Sequence, residues 1–191
     1  MTSSCVVGLD RDGTINKDLG TYVTHPRDFE PIDGSLEAIR ILREKNYDVV
    51  ILTNQAGIMK GIMTPVDVDV VHNRMLELMG NAGIDSINGL YYSTTNLKED
   101  VYAKPNIGMF QRAEKEIGVK FSTGFYVGDK ITDLKAAVKA KARPILVRTG
   151  YGKETEEKLN TFANKELKKK TKIFDNLLEF AKSLPEKVWK F

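Results

Sequence analysis

Short apolar runs alternate with longer stretches whose apolar residues recur at helical spacing. The runs Cys5–Leu9, Asp48–Leu52, Leu90–Ser93, Gly124–Val127 and Pro144–Val147 are rich in β-branched or aromatic residues and give way to Gly, Asn or Asp. Near-continuous runs of this kind suit parallel strands covered on both faces. Between them, Leu36, Ile39 and Leu42 form one stripe within Ser35–Lys45, and Val68, Val71, Met75 and Leu78 form another within Pro65–Ala82. Phe110, Ala113 and Ile117 mark a third helix, and Leu134, Ala137 and Val138 a fourth. Thr64-Pro65 reads as an N-cap followed by the first helical residue. Strands alternating with helices predict an α/β fold, a doubly wound, Rossmann-like parallel sheet with helices on both faces.

Two segments interrupt the alternation. Thr14–Pro31 is too long for a simple strand-to-helix turn and is expected to fold over the first strand as a flap. Thr94–Lys104 is polar and unpatterned. Past Gly152 the chain becomes lysine-rich through Lys165–Lys172, read as a solvated helix face, followed by a short strand at Lys172–Phe174 and a helix across Asn176–Ser183. No repeat or linker divides the chain, so 1–191 reads as one domain.

Composition narrows the classes. A length of 191 residues supports a full core, and 41% hydrophobic with 29% charged residues is ordinary for a globular protein. A net charge of +3 is too small to argue a nucleic-acid partner. The single Cys5 excludes an internal disulfide framework and a cysteine-rich metal site. No apolar stretch has the length of a membrane span, and no basic region with a signal-peptide core opens the chain. A cytoplasmic protein without a membrane partner is expected.

The chemistry lies at the strand ends. Asp10-Arg11-Asp12-Gly13-Thr14 follows the first apolar run, and nothing in strand packing asks for two acids there. In an open α/β sheet the carboxyl ends of the strands are where ligands bind. Acids at i and i+2 in extended backbone point the same way, so Asp10 and Asp12 can converge on one ligand while Gly13 turns the chain. After the second run come Thr53-Asn54-Gln55-Ala56-Gly57, whose side chains and main-chain N–H groups suit phosphate oxygens or simply make a turn. Lys104 precedes Pro105 and cannot continue a helix, which fixes a point charge near the sheet edge. Gly128-Asp129-Lys130 follows the fourth run, with Asp133 one turn later as either a second acid for the ligand or a helix-start carboxylate. Two or three acids make a site for a hard cation such as Mg²⁺, which commonly bridges carboxylates to a substrate phosphate.

Taken together, Asp10-Arg11-Asp12-Gly13-Thr14, Thr53, Lys104 and Gly128-Asp129 through Asp133 resemble the four motifs of the haloacid-dehalogenase superfamily of aspartate-nucleophile phosphatases. Asp10 to Asn16, Phe29 to Gly34, Thr53 to Ile58 and Gly128 to Lys130 look most like the branch that holds the heptose-bisphosphate 7-phosphatases and the histidinol-phosphatases, whose members lack a large cap domain. The resemblance implies Asp10 as nucleophile and Asp12 as general acid, then base. It implies Thr53 and Lys104 as stabilisers of the phosphoryl group. Mg²⁺ would be held by Asp10, by the main-chain carbonyl of Asp12 and by Asp129, with Asp133 a possible outer ligand. Asp18, Gly20, Thr21, Tyr22, Asn54, Gln55 and Lys130 would contact a small phosphorylated metabolite such as a sugar phosphate. A receiver-type signalling domain is the rival reading, but it would carry its phosphate-accepting acid after a middle strand rather than after the first.

Two departures stand out. The branch typically carries a zinc loop of cysteines and a histidine after the third strand, and Thr94–Ala103 contains neither, so no zinc is expected. Where a zinc-bearing relative has an Arg before the motif Lys, this chain has Ala103, which removes a bidentate phosphate contact. A second substrate phosphate would then be read elsewhere, at Lys60 or Lys98, or be absent. His25 is expected in a turn, His72 at the surface or in helix packing, Tyr91 and Tyr92 in strand packing, and Trp189 either docked on the body or exposed.

Overall fold

The computed structural model describes residues 5–186; Trp189 lies outside them. The sheet is six-stranded and wholly parallel, in the order β3-β2-β1-β4-β5-β6. Its strands are β1 (Cys5–Leu9), β2 (Asp48–Asn54), β3 (Gly89–Ser93), β4 (Lys120–Gly128), β5 (Arg143–Val147) and β6 (Lys172–Phe174). The helices are α1 (Ser35–Glu44), α2 (Pro65–Asn81), α3 (Gly108–Ile117), α4 (Ile131–Lys139), α5 (Gly152–Leu159), α6 (Lys165–Lys170) and α7 (Leu177–Ser183).

The run of β-branched residues in β1 is buried on both sides, as its composition requires. Alternate residues supply two cores. Val7, Val49, Ile51, Phe125 and Val127 pack with residues of α1, α2 and α7, including Ile39, Val71, Met75 and Phe180. Val6, Val50, Leu52 and Tyr126 pack on the opposite side with Phe110 and Ala113 of α3 and Ala136 and Ala137 of α4. A smaller cluster of Leu134, Leu146 and Leu159 seats α5, which the sequence pattern does not predict.

β1 pairs with β2 on one side, Leu9 opposite Ile51, and with β4 on the other, Leu9 opposite Val127. The chain therefore changes direction across the sheet at β1, and the crevice beyond its carboxyl end is the topological switch point where α/β sheets bind ligands. The flap segment is better anchored than its length suggests. Ile15, Val23 and Phe29 are buried in the first core, a short 3-10 turn spans Pro26–Asp28, and Asn16 bridges to both Asp12 and Pro31. His25 caps that turn by accepting from Arg27 N at 3.1 Å, as expected of a turn residue. The helices and strands follow one another with no inserted layer between them. No described helix is long and apolar enough to cross a membrane.

Candidate active site

The carboxyl end of β1 delivers Asp10 into a buried polar cluster. Its Oδ1 accepts from Arg11 N at 2.8 Å and lies 2.8 Å from Lys104 Nζ. Lys104 is itself buried, and its ammonium also meets Asp133 Oδ1 at 2.7 Å and Tyr126 Oη at 2.9 Å. The ammonium is thus paired with two carboxylates and donates to the phenol, while Asp133 Oδ1 keeps no hydrogen-bond partner of its own. Burial opposes the charge on Lys104, but Asp10 and Asp133 outweigh it and raise its pKa well above the usual lysine range. The lysine arrives on the loop after β3. Asn54 at the end of β2 holds it there, accepting from Lys104 N at 3.0 Å and donating to Lys104 O at 3.1 Å. The Lys104–Pro105 peptide is cis.

The loop ahead of Lys104 closes on a carboxylate. Asp100 Oδ2 accepts from Ser93 Oγ at 2.9 Å and Thr95 Oγ1 at 3.0 Å, and its Oδ1 accepts from Tyr102 N at 2.9 Å. Ala103 is buried behind it.

Asp129 leaves the end of β4 buried beside Asp10. Its Oδ2 accepts from Tyr151 N at 2.8 Å, while its Oδ1 is buried without a hydrogen-bond partner. Burial, with the charges of Asp133 and Asp10, pushes its pKa well above the carboxylate range, and burial pushes Asp10 upward too. Asp10, Asp129 and Asp133 each bring one oxygen within 4.8 Å of the others. Like charges gathered in a buried site with an oxygen to spare are the donor set of a hard divalent cation, so the residues fit Mg²⁺. The approach depends on Gly13. Its φ is +82°, and a Cβ there would lie 2.1 Å from Asp129 Oδ2. Asp133 also starts α4, its Oδ2 accepting from Lys130 N at 3.0 Å.

Asp12 turns to different surroundings. Its Oδ1 accepts from Arg11 Nε at 3.1 Å, Arg11 Nη2 at 2.9 Å and Asn16 Nδ2 at 2.9 Å. Its Oδ2 accepts from Arg11 Nη2 at 2.8 Å and Gln55 Nε2 at 2.9 Å. Burial opposes its ionisation, yet Arg11, Asn16 and Gln55 together hold its pKa below the usual range. Gln55 also donates to Thr53 Oγ1 at 3.0 Å, beside the acids at the end of the adjacent strand.

The expected substrate contacts divide. Asn54 and Gln55 are both engaged within the protein: the amide of Asn54 grips the Lys104 backbone, and Gln55, 1% exposed, braces Asp12 and Arg11. Lys130 lies at the rim, paired with Asp18 Oδ2 at 3.0 Å and over the Tyr151 ring. Burial opposes the charge on Lys130, but Asp129 and Asp10 raise its pKa. Gly20 and Thr21 are exposed at the flap tip, and Tyr22 lies beneath Lys60. Lys60 is thereby brought to the flap, whereas Lys98 is exposed on the loop after β3. Of the two places expected for His72 the structure gives helix packing, the side chain being buried with its Nε2 3.1 Å from Arg11 Nη1. Its partner is 61 residues away, so no local pattern announces it. Tyr126, within the fourth apolar run, meets Lys104 from 22 residues away and is equally unannounced.

Three clustered carboxylates, a buried lysine paired with two of them and a further acid held by an arginine thus stand together beyond the carboxyl ends of the central strands. Residues 6–182 match the polynucleotide kinase 3 phosphatase family. The chain belongs to this family of haloacid-dehalogenase-type phosphatases. It is 39% identical to D-glycero-D-manno-heptose-1,7-bisphosphate 7-phosphatase of Chlorobaculum tepidum over 81% of this chain and 84% of that one. It is 34% identical to D-glycero-beta-D-manno-heptose-1,7-bisphosphate 7-phosphatase of Neisseria meningitidis over 91% of this chain and 90% of that one. The fold is similar to the crystal structure of D,D-heptose 1,7-bisphosphate phosphatase from B. bronchiseptica complexed with magnesium and phosphate, with a TM-score of 0.84, 26% identity, and coverage of 93% of this chain and 96% of that one. The chain is accordingly a phosphoric monoester hydrolase of the haloacid-dehalogenase type.

Proposed function

We propose that this phosphatase hydrolyses a small sugar phosphate, D-glycero-D-manno-heptose 1,7-bisphosphate at its 7-phosphate, through a phosphorylated Asp10. The reading takes 1–191 as one cytoplasmic catalytic domain without a zinc requirement, its 94–104 loop holding no Cys or His and being gathered by Asp100. The observation that carries the mechanism is the division of labour between two acids two residues apart. Asp10 contacts the buried lysine and the cation site, while Asp12 is held by Arg11, Asn16 and Gln55. The names of the relatives support the substrate.

In this mechanism the Asp10 carboxylate attacks phosphorus and the bond from phosphorus to the ester oxygen breaks. Asp12 gives its proton to the departing alkoxide. It gains that proton as the phosphate dianion enters, since a nearby negative charge raises a carboxyl pKa. Asp12 then takes a proton from the water that hydrolyses the aspartyl-phosphate, and Asp10 returns as inorganic phosphate leaves. Lys104 and the Thr53 hydroxyl neutralise the equatorial oxygens. Asp10, Asp129 and the main-chain carbonyl of Asp12 would hold Mg²⁺, with Asp133 outside them. When bound, Mg²⁺ supplies charge neutralisation to the phosphoryl group. Lys130 and Asp18 border the entrance, and Lys60 over Tyr22 offers a cation for a second phosphate.

The test is phosphate release from heptose 1,7-bisphosphate anomers, histidinol phosphate and other phosphometabolites with Mg²⁺. The heptose bisphosphate is expected to give the highest kcat/KM. Asp10→Asn is expected to abolish turnover, and metal analysis to find no stoichiometric zinc. A preferred substrate without a sugar would overturn the substrate assignment, and substantial turnover by Asp10→Asn the nucleophile.

A further inference from the structure

Arg11 is the largest fully buried side chain among the described residues, and burying a guanidinium requires partners for its donors. On one side its Nε and Nη2 reach both oxygens of Asp12. On the other, Nη2 donates to Gln55 Oε1 at 3.2 Å and Nη1 meets His72 Nε2 at 3.1 Å. A guanidinium only donates, so His72 Nε2 must accept and its ring proton must lie on Nδ1. Burial, reinforced by the Arg11 charge, lowers the His72 pKa to about 3, which keeps the ring neutral and in the accepting form. The imidazole is steadied edge-on by Tyr92, with ring centroids 5.5 Å apart. His72 belongs to the third turn of α2, so this helix reaches the first strand's acid through one arginine.

The consequence concerns alignment. Asp12 is 22% exposed on its side chain whereas Arg11 is 0% exposed, so the carboxylate faces the crevice from a support anchored behind it. Remove the acceptor at His72 and Nη1 becomes a buried donor without a partner. The guanidinium can relieve that only by rotating or shifting, and the oxygens of Asp12 are tied to the same rigid plane. A displacement on the order of 1 Å in a proton-transfer group costs about 100-fold.

We infer that His72 is a positioning residue for proton transfer, fixing through Arg11 the orientation in which Asp12 protonates the leaving group. The inference rests on the assignment of Asp12 as that acid, and the experiment separates the two. kcat/KM reports the phosphorylation step, in which β-glycerol phosphate needs its alkoxide protonated and p-nitrophenyl phosphate does not. His72→Phe, of similar size but without an acceptor, is expected to lower kcat/KM about 10- to 100-fold for β-glycerol phosphate and much less for p-nitrophenyl phosphate. His72→Gln, which restores an acceptor, is expected to recover most of the loss. Arg11→Lys, which keeps the charge without the fork, is expected to show the same selectivity and serves where His72→Phe does not fold. Asp12→Asn is the reference and is expected to be the most selective of all. An equal fall on both esters, or none, in the His72→Phe or Arg11→Lys protein overturns the positioning role when Asp12→Asn remains selective. Loss of selectivity in Asp12→Asn itself overturns the acid assignment instead.

Discussion

Lys104 is ion-paired with Asp10 and Asp133 and donates to Tyr126 Oη, and Tyr126 in turn donates to Leu52 O at 2.6 Å. Tyr126→Phe leaves a buried carbonyl without its donor and the lysine one acceptor short. It is expected to cost about 1–3 kcal/mol, read as a lower midpoint in urea at unchanged slope. His72 carries a pH prediction. The unfolded chain takes a proton at this imidazole near pH 6.5, while the folded chain does so only at about 3. Between those values the unfolded state binds more protons, so stability falls with acidification by up to about 1.4 kcal/mol per pH unit from this group. His72→Gln is expected to flatten that part of the stability–pH curve, and an unchanged slope in urea titrations from pH 6.5 to 4 would contradict it. The acids and the lysine are legible in the sequence because each stands where a strand ends and packing has no use for it. Arg11, His72 and Tyr126 are not, because a buried polar side chain is defined by partners that only the tertiary fold supplies.

The same contrast holds among the elements. β1 and β5 announce themselves as apolar runs, but β4 begins four residues earlier than its run because Lys120, Ser122 and Thr123 are exposed there and dilute the pattern. α5 is hidden by a string of Glu and Lys, with only Gly152, Thr155 and Leu159 buried. α2 is marked clearly at its start. Thr64 Oγ1 accepts from Asp67 N at 3.2 Å and Asp67 Oδ2 accepts from Thr64 N at 2.7 Å, a capping box ahead of Pro65. Thr64→Ala is expected to cost about 1 kcal/mol, measured by thermal or urea unfolding. Because α2 bears His72, the cap also secures the helix from which Arg11 is held.

For the molecule as a whole, the cluster of Asp10, Asp129 and Asp133 means that the metal-free protein carries repulsion which a cation relieves. Mg²⁺ is therefore expected to raise the unfolding midpoint in a concentration-dependent way, and chelation to reverse it. Asp129→Asn is expected to abolish that dependence, since it replaces one of the clustered carboxylates by an uncharged amide. Calorimetry with and without Mg²⁺ checks both. The central place of β1 has a consequence for how activity arises. Val7 pairs with Val49 on one side and with Phe125 on the other, so the strand bearing Asp10 is joined to a segment more than half the chain away. Contacts so distant in sequence pay a large loop-closure entropy and form slowly. A growing chain that has not yet released β4 from the ribosome holds Asp10 but lacks Asp129, and phosphatase activity on refolding cannot return before that long-range pairing is made.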